Sequence, residues 1–151
     1  MKKAVMVFSA LGDIAALLPY LKKMSPAPLI ITSPVGKEFL KEEFDDFLVL
    51  PTKKLIDVLR LILSIRRARL DELIDFQCND RSRFIAKLSN AGKVVNNDGI
   101  DTNQEVHAVL EAMSRRAGID LDFGFDELPS KRPRTYIVLN AGSSPKWQSK
   151  R

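Results

Sequence analysis

The chain has 151 residues, with 24 Lys and Arg against 19 Asp and Glu, one His and one Cys. That length supports one globular domain with a core of its own, and the net charge of +5 is a mild bias toward anionic partners that does not choose among nucleic acid, phospholipid and phosphorylated glycolipid. A single cysteine excludes an intrachain disulfide framework and points to a reducing compartment, while no apolar run approaches the ~20 residues of a bilayer span.

The run Ala4 to Phe8 is continuously apolar and ends in a turn, the pattern of a strand buried on both faces of a parallel sheet. The apolar stretch behind Met1-Lys2-Lys3 stops at Gly12-Asp13, too soon for a signal peptide. Ile14, Leu17, Leu18 and Leu21 then recur at helical spacing as far as Lys23, completing a β-α unit. Pro28 to Thr32 reads as a second strand, residues 36–43 as a helix, and Phe47 to Leu50 as a third strand stopped by Pro51. From Lys53 to Leu70, apolar residues at 55, 56, 59, 62, 63 and 65 alternate with Lys and Arg, which predicts an amphipathic helix with a basic face. Leu73 to Phe76 predicts a strand, residues 81–90 a helix capped by Gly92, and Lys93 to Val95 a fifth strand. Residues 103–117 predict a helix closed by Gly118, residues 120–133 a linker, and Thr135 to Leu139 a last strand. The alternation predicts an α/β fold, a Rossmann-like three-layer α/β/α arrangement with a mostly parallel sheet whose ligands lie at the carboxyl ends of the strands.

Three loops would gather on that edge: Ser9 to Asp13, Gln77 to Ser82, and Ala141 to Arg151. The first is a strand-to-helix turn, a place that normally offers backbone amides to a phosphate. Here Asp13 occupies it and Gly12 is the only glycine. A carboxylate in that position argues for a neutral or proton-donating ligand.

With these residues in view, the sequence resembles the inverting GT-B glycosyltransferases of the lipopolysaccharide heptosyltransferase type. The resemblance rests on Ser9 to Asp13 after the first strand, on Asp71 to Gln77 with Arg81-Ser82, on Val106 to Val109 in a late helix, and on Tyr136 to Ser143. It covers essentially the whole chain, with one departure at Cys78, where the family usually carries glycine after the glutamine. It implies the N-terminal half of a GT-B fold: an acceptor-binding domain over residues 1–133, then the interdomain crossing and the start of a truncated donor-binding domain over 134–151. It further implies an enzyme as the full-length protein, with these 151 residues alone inactive, that transfers heptose or a related sugar to a lipopolysaccharide core acceptor. The implied partners are a nucleotide-sugar donor such as ADP-heptose, serving as substrate with no cofactor, and an anionic glycolipid acceptor.

The resemblance makes Asp13 the catalytic base, since inverting transfer needs a proton acceptor beside the acceptor hydroxyl. It assigns acceptor binding to Ser9, Gly12, Gln77, Asn79 and Arg81, and contact with the donor phosphates to Ser143, Ser144 and Lys150. Each has a plainer reading. Asp13 also stabilises a helix N-terminus, Ser9 also suits a turn, and Gln77, Asn79 and Arg81 also suit the cap of the following helix. Lone His107 offers no metal-ligand spacing with the scattered carboxylates, and Cys78 reads as a packing residue. The basic face around Arg60, Arg66, Arg67 and Arg69 is a solvated surface or an attraction to an anionic acceptor at the inner leaflet. The expected location is cytoplasmic, with peripheral contact at the inner face of the cytoplasmic membrane. Nucleic-acid binding is not expected, because no predicted strand presents paired aromatics and no helix-turn-helix pattern is present. The alternative function is a free-standing Rossmann-like module that holds nucleotide or sugar without turnover.

Overall fold

A computed structural model describes residues 1–8, 11–103 and 106–119, with the backbone alone at 106 and 107. All belong to the unit Met1–Leu121, the first of two into which the chain divides. The expected last strand, the boundary at 133/134 and the third loop lie outside the described residues.

Five strands and five helices alternate: β1 (Lys3–Val7), α1 (Leu11–Lys22), β2 (Leu29–Thr32), α2 (Pro34–Leu40), β3 (Phe47–Val49), α3 (Leu55–Ala68), β4 (Glu72–Asp75), α4 (Asp80–Leu88), β5 (Lys93–Val95) and α5 (Val106–Arg116). The strands form one parallel sheet in the order β3-β2-β1-β4-β5. This is the Rossmann-like α/β arrangement that the alternation predicts.

Central β1 explains the continuous apolar run, since Ala4, Val5, Met6 and Val7 are all buried. Successive side chains point to opposite faces of the sheet. Ala4 and Met6, with Ile31 and Leu73, join Val58, Leu61, Ile62 and Ile65 of α3 and Ile85 and Ala86 of α4 in one core. The direction of strand progression reverses after β3, so right-handed crossovers put α3 and α4 on the face opposite α1 and α2. Helix α1 touches both α2 and α5, and α3 touches α4.

Local signals fix the ends of several helices. Ser33 caps α2 by accepting the Gly36 amide at 3.2 Å, with Pro34 in the first turn. Gly118 closes α5 as expected: its φ is 66°, its amide bonds Arg115 O, and the Ile119 amide bonds Ser114 O, which together make a Schellman motif. The Gly92 expectation is corrected. Helix α4 ends earlier, at Leu88 with Ser89 as its cap. Gly92 instead lies against the backbone of Asp71, where an added Cβ would come within 2.9 Å of the Asp71 carbonyl oxygen.

Helix α3 lies within the span expected for it. The helix forms as expected with its arginines exposed, and it buries Val58, Leu61, Ile62 and Ile65 while Leu55, Ile56, Leu59 and Leu63 are exposed. At the amino edge of the sheet, paired positions Lys3, Glu72 and Lys93 form a row across β1, β4 and β5. Buried Glu72 bonds Lys3 at 3.0 Å and Lys93 at 2.8 Å. Those two ammonium groups also donate to the Ala117 and Arg116 carbonyls at the end of α5, where cations complement the helix dipole. Burial pushes the Glu72 carboxyl up, but the two lysines outweigh it and hold the group below its ordinary value. Among the described residues no helix is long and apolar enough to cross a membrane.

Candidate functional site

Strands β1 and β4 are neighbours, yet the chain leaves β1 toward β2 and leaves β4 toward β5. Such a point of divergence opens a crevice at the carboxyl ends of the strands, where ligands of open α/β sheets bind. A cavity of about 410 Å³ lies there. Leu17, Phe76, Val109, Leu110 and Met113 make its apolar wall, and Asp13, Gln77, Asn97 and Thr102 supply its polar groups.

The β4-α4 loop shapes one side. The Phe76 amide continues the ladder to Met6 O at 3.1 Å, and Gln77 then takes over with its side chain, whose Oε1 accepts the Phe8 amide at 2.7 Å. Gln77 thereby joins the ends of the two strands that flank the crevice. Beneath it lies Asp75, fully buried. One of its carboxylate oxygens accepts the Gln77 and Cys78 amides, each at 3.0 Å, and the other accepts the Ser82 hydroxyl at 2.7 Å. Burial pushes this carboxyl up, countered in part by the Ser82 hydroxyl, the two amides and the charge of Arg83.

Cys78 turns the loop with φ of 48°, a left-handed conformation that glycine adopts at no steric cost. The thiol donates to Asp75 O at 2.7 Å and lines the cavity. Burial, and then the Asp75 carboxylate, push it up to about 11, so it is a protonated packing group rather than a nucleophile.

The expected site residues separate accordingly. Asp13 and Gln77 line the same cavity, and exposed Gly12 adjoins Asp13 with open space about its Cα. Asn79 does not line it; its side chain caps α4 by accepting the Ser82 amide at 2.9 Å in a reciprocal capping box. Arg81 is exposed on α4 and lines no part of the cavity. Ser9, Ser143, Ser144 and Lys150 lie outside the described residues.

Asn97 and Thr102 were not legible as site residues, because only the packing of the segment after β5 against α5 brings them to the crevice. Asp75 and Ser82 were missed as well, although Asn79 and Ser82 at capping-box spacing were a usable signal. Among the described residues no Lys or Arg lines the cavity. No three His, Cys, Asp or Glu side chains gather among those residues as a metal site requires. Comparison with protein-family models, with curated proteins and with solved structures gave no match. The class of protein is therefore defined by its own fold, a three-layer Rossmann-like α/β domain with a crevice between β1 and β4.

Proposed function

We propose that the chain is the acceptor-binding part of an inverting glycosyltransferase, one that moves heptose or a related sugar from a nucleotide-sugar to a lipopolysaccharide core acceptor. The observation that carries this reading is the carboxylate of Asp13 at a crevice whose other polar groups, Gln77, Asn97 and Thr102, are uncharged. A sugar hydroxyl seated among those groups has donors and acceptors within the same cavity and a base beside it. The apolar wall from α5 suits the carbon face of a sugar ring.

Asp13→Asn in the complete protein tests the role. It keeps the shape and removes the proton acceptor, so turnover should fall by ~10²-fold or more with acceptor affinity little changed. Near-normal turnover would overturn the assignment. The second reading, a binding module without turnover, draws on one observation: among the described residues no side chain hydrogen-bonds Asp13 to orient it as a base. Calorimetric binding of a core sugar by a wild-type protein that transfers nothing would favour that module.

A further inference from the structure

Helix α3 carries two apolar faces, and among the described residues only one is packed into the core. Val58, Leu61, Ile62 and Ile65 are buried against the sheet. On the other side Leu55 is 67% exposed, Ile56 55%, Leu59 43% and Leu63 51%. Residues 55, 59 and 63 follow one another at i, i+4 spacing, so with Ile56 they form a continuous stripe along the helix rather than scattered surface residues.

Cations flank this stripe. Residues 53–69 hold six Lys and Arg and a single acid, Asp57. That acid accepts from the Thr52 hydroxyl and lies 3.8 Å from Arg60. Arg66 and Arg67 are exposed in the last turn. Neighbouring α4 repeats the pattern in the same layer, with Phe84 45% exposed on a helix whose Arg81 and Lys87 are also exposed.

From this combination we infer that the outer face of α3 is a docking surface for an anionic phospholipid bilayer, with the four apolar side chains seated at the headgroup boundary and the arginines on lipid phosphates. An amphipathic helix binds an interface through buried apolar area together with attraction to anionic lipid, and α3 presents both on one face. Charge complementarity selects this occupant. A second copy would set two clusters of the same six cations against each other.

The placement also has a functional sense. Helix α3 follows β3 and returns antiparallel to the strands, so Leu55 and Ile56 lie at the carboxyl edge of the sheet, the edge at which the crevice opens. A bilayer against α3 would bring that edge close to the lipid surface. The inference stands on α3 alone, independently of any glycosyl transfer.

Co-sedimentation of the full chain with vesicles tests it. The wild type should bind phosphatidylcholine vesicles containing phosphatidylglycerol, fail to bind pure phosphatidylcholine, and release as salt rises. Arg60→Gln with Arg66→Gln and Arg67→Gln should weaken binding by about 100-fold. Leu59→Gln with Leu63→Gln should weaken it by at least ~10-fold, because each leucine loses burial in the interface. All five positions are exposed, so unfolding curves of both variants should match the wild type, which separates lost docking from lost folding. Three results would overturn the inference: no wild-type binding to anionic vesicles, undiminished binding by the leucine variant, or a dimer in sedimentation equilibrium that the leucine variant dissociates. Since vesicle binding and turnover are read separately, failure here is distinguishable from failure of the Asp13 assignment.

Discussion

Removing the carboxylate of Asp75 tests whether the β4-α4 loop is held as described. Asp75→Ala takes away the acceptor of three donors: the Gln77 amide, the Cys78 amide and the Ser82 hydroxyl. The hydroxyl has a second acceptor in the Asn79 carbonyl at 3.0 Å, so the real loss falls on the two amides. An unsatisfied buried donor costs ~1–3 kcal/mol. Gln77 and Cys78 are half-buried, which admits some water and sets the expectation at the lower end, about 2–3 kcal/mol for the pair. Asp75→Asn should behave differently. Its side-chain oxygen still accepts both amides, its amide group can donate to the Ser82 oxygen, and no charge is buried, so stability should stay within ~1 kcal/mol of wild type.

The pH dependence has a definite sign. Burial raises the folded-state value of Asp75, so the native state holds the proton more tightly than the unfolded chain. Wild-type stability therefore falls as pH rises from the unfolded value toward the folded one. The asparagine cannot titrate. Its stability relative to wild type should grow across that window and then level off. Urea unfolding followed by circular dichroism, at a series of pH values and with the slope unchanged between variants, measures both effects. An alanine variant as stable as wild type, an asparagine variant as weak as the alanine, or a relative stability that shrinks with rising pH would refute the reasoning.

At the opposite edge, Glu72→Gln should destabilise the fold by about 2 kcal/mol near neutrality, discounted from the cost of a fully buried pair because Lys93 is largely exposed. Glu72 titrates below its ordinary value in the fold, so this difference is present above the unfolded value and disappears as pH falls through the folded one, which acid unfolding of the two proteins would measure. With the Cys78 thiol at about 11, iodoacetamide should modify it at neutral pH more than ~100-fold more slowly than an exposed cysteine near ~8.5, and mass spectrometry over time would show it. Cys78→Gly should change stability by less than ~1 kcal/mol, because relief at positive φ offsets the lost thiol contact and the added chain entropy. Cys78→Val should cost at least ~2 kcal/mol in the same unfolding assay, since a branched side chain fits that conformation poorly.

Much of the architecture was written in local pattern. The uninterrupted apolar run at Ala4 to Phe8, the helical spacing of Ile14, Leu17 and Leu21, and Gly118 after the last helix each act over a few residues, so a linear reading reaches them. Together they predict parallel β-α alternation, and hence the edge at which Asp13 and Gln77 meet. Strand order is different in kind. That β4 pairs with β1, so that Gln77 can bond the Phe8 amide 69 positions away in sequence, depends on which apolar faces find each other, and no local spacing encodes it. The same limit hid Asp75, whose burial comes from neighbours distant in the chain, and Asn97 with Thr102, which reach the crevice only through the packing around α5. It also left open which side of α3 is buried. Apolar residues surround more than one side of that helix, so periodicity alone could not say which side the sheet would cover. Tertiary packing covered Val58, Leu61, Ile62 and Ile65, and left Leu55, Ile56, Leu59 and Leu63 in solvent, because a helix lying on a sheet can bury only one side against it.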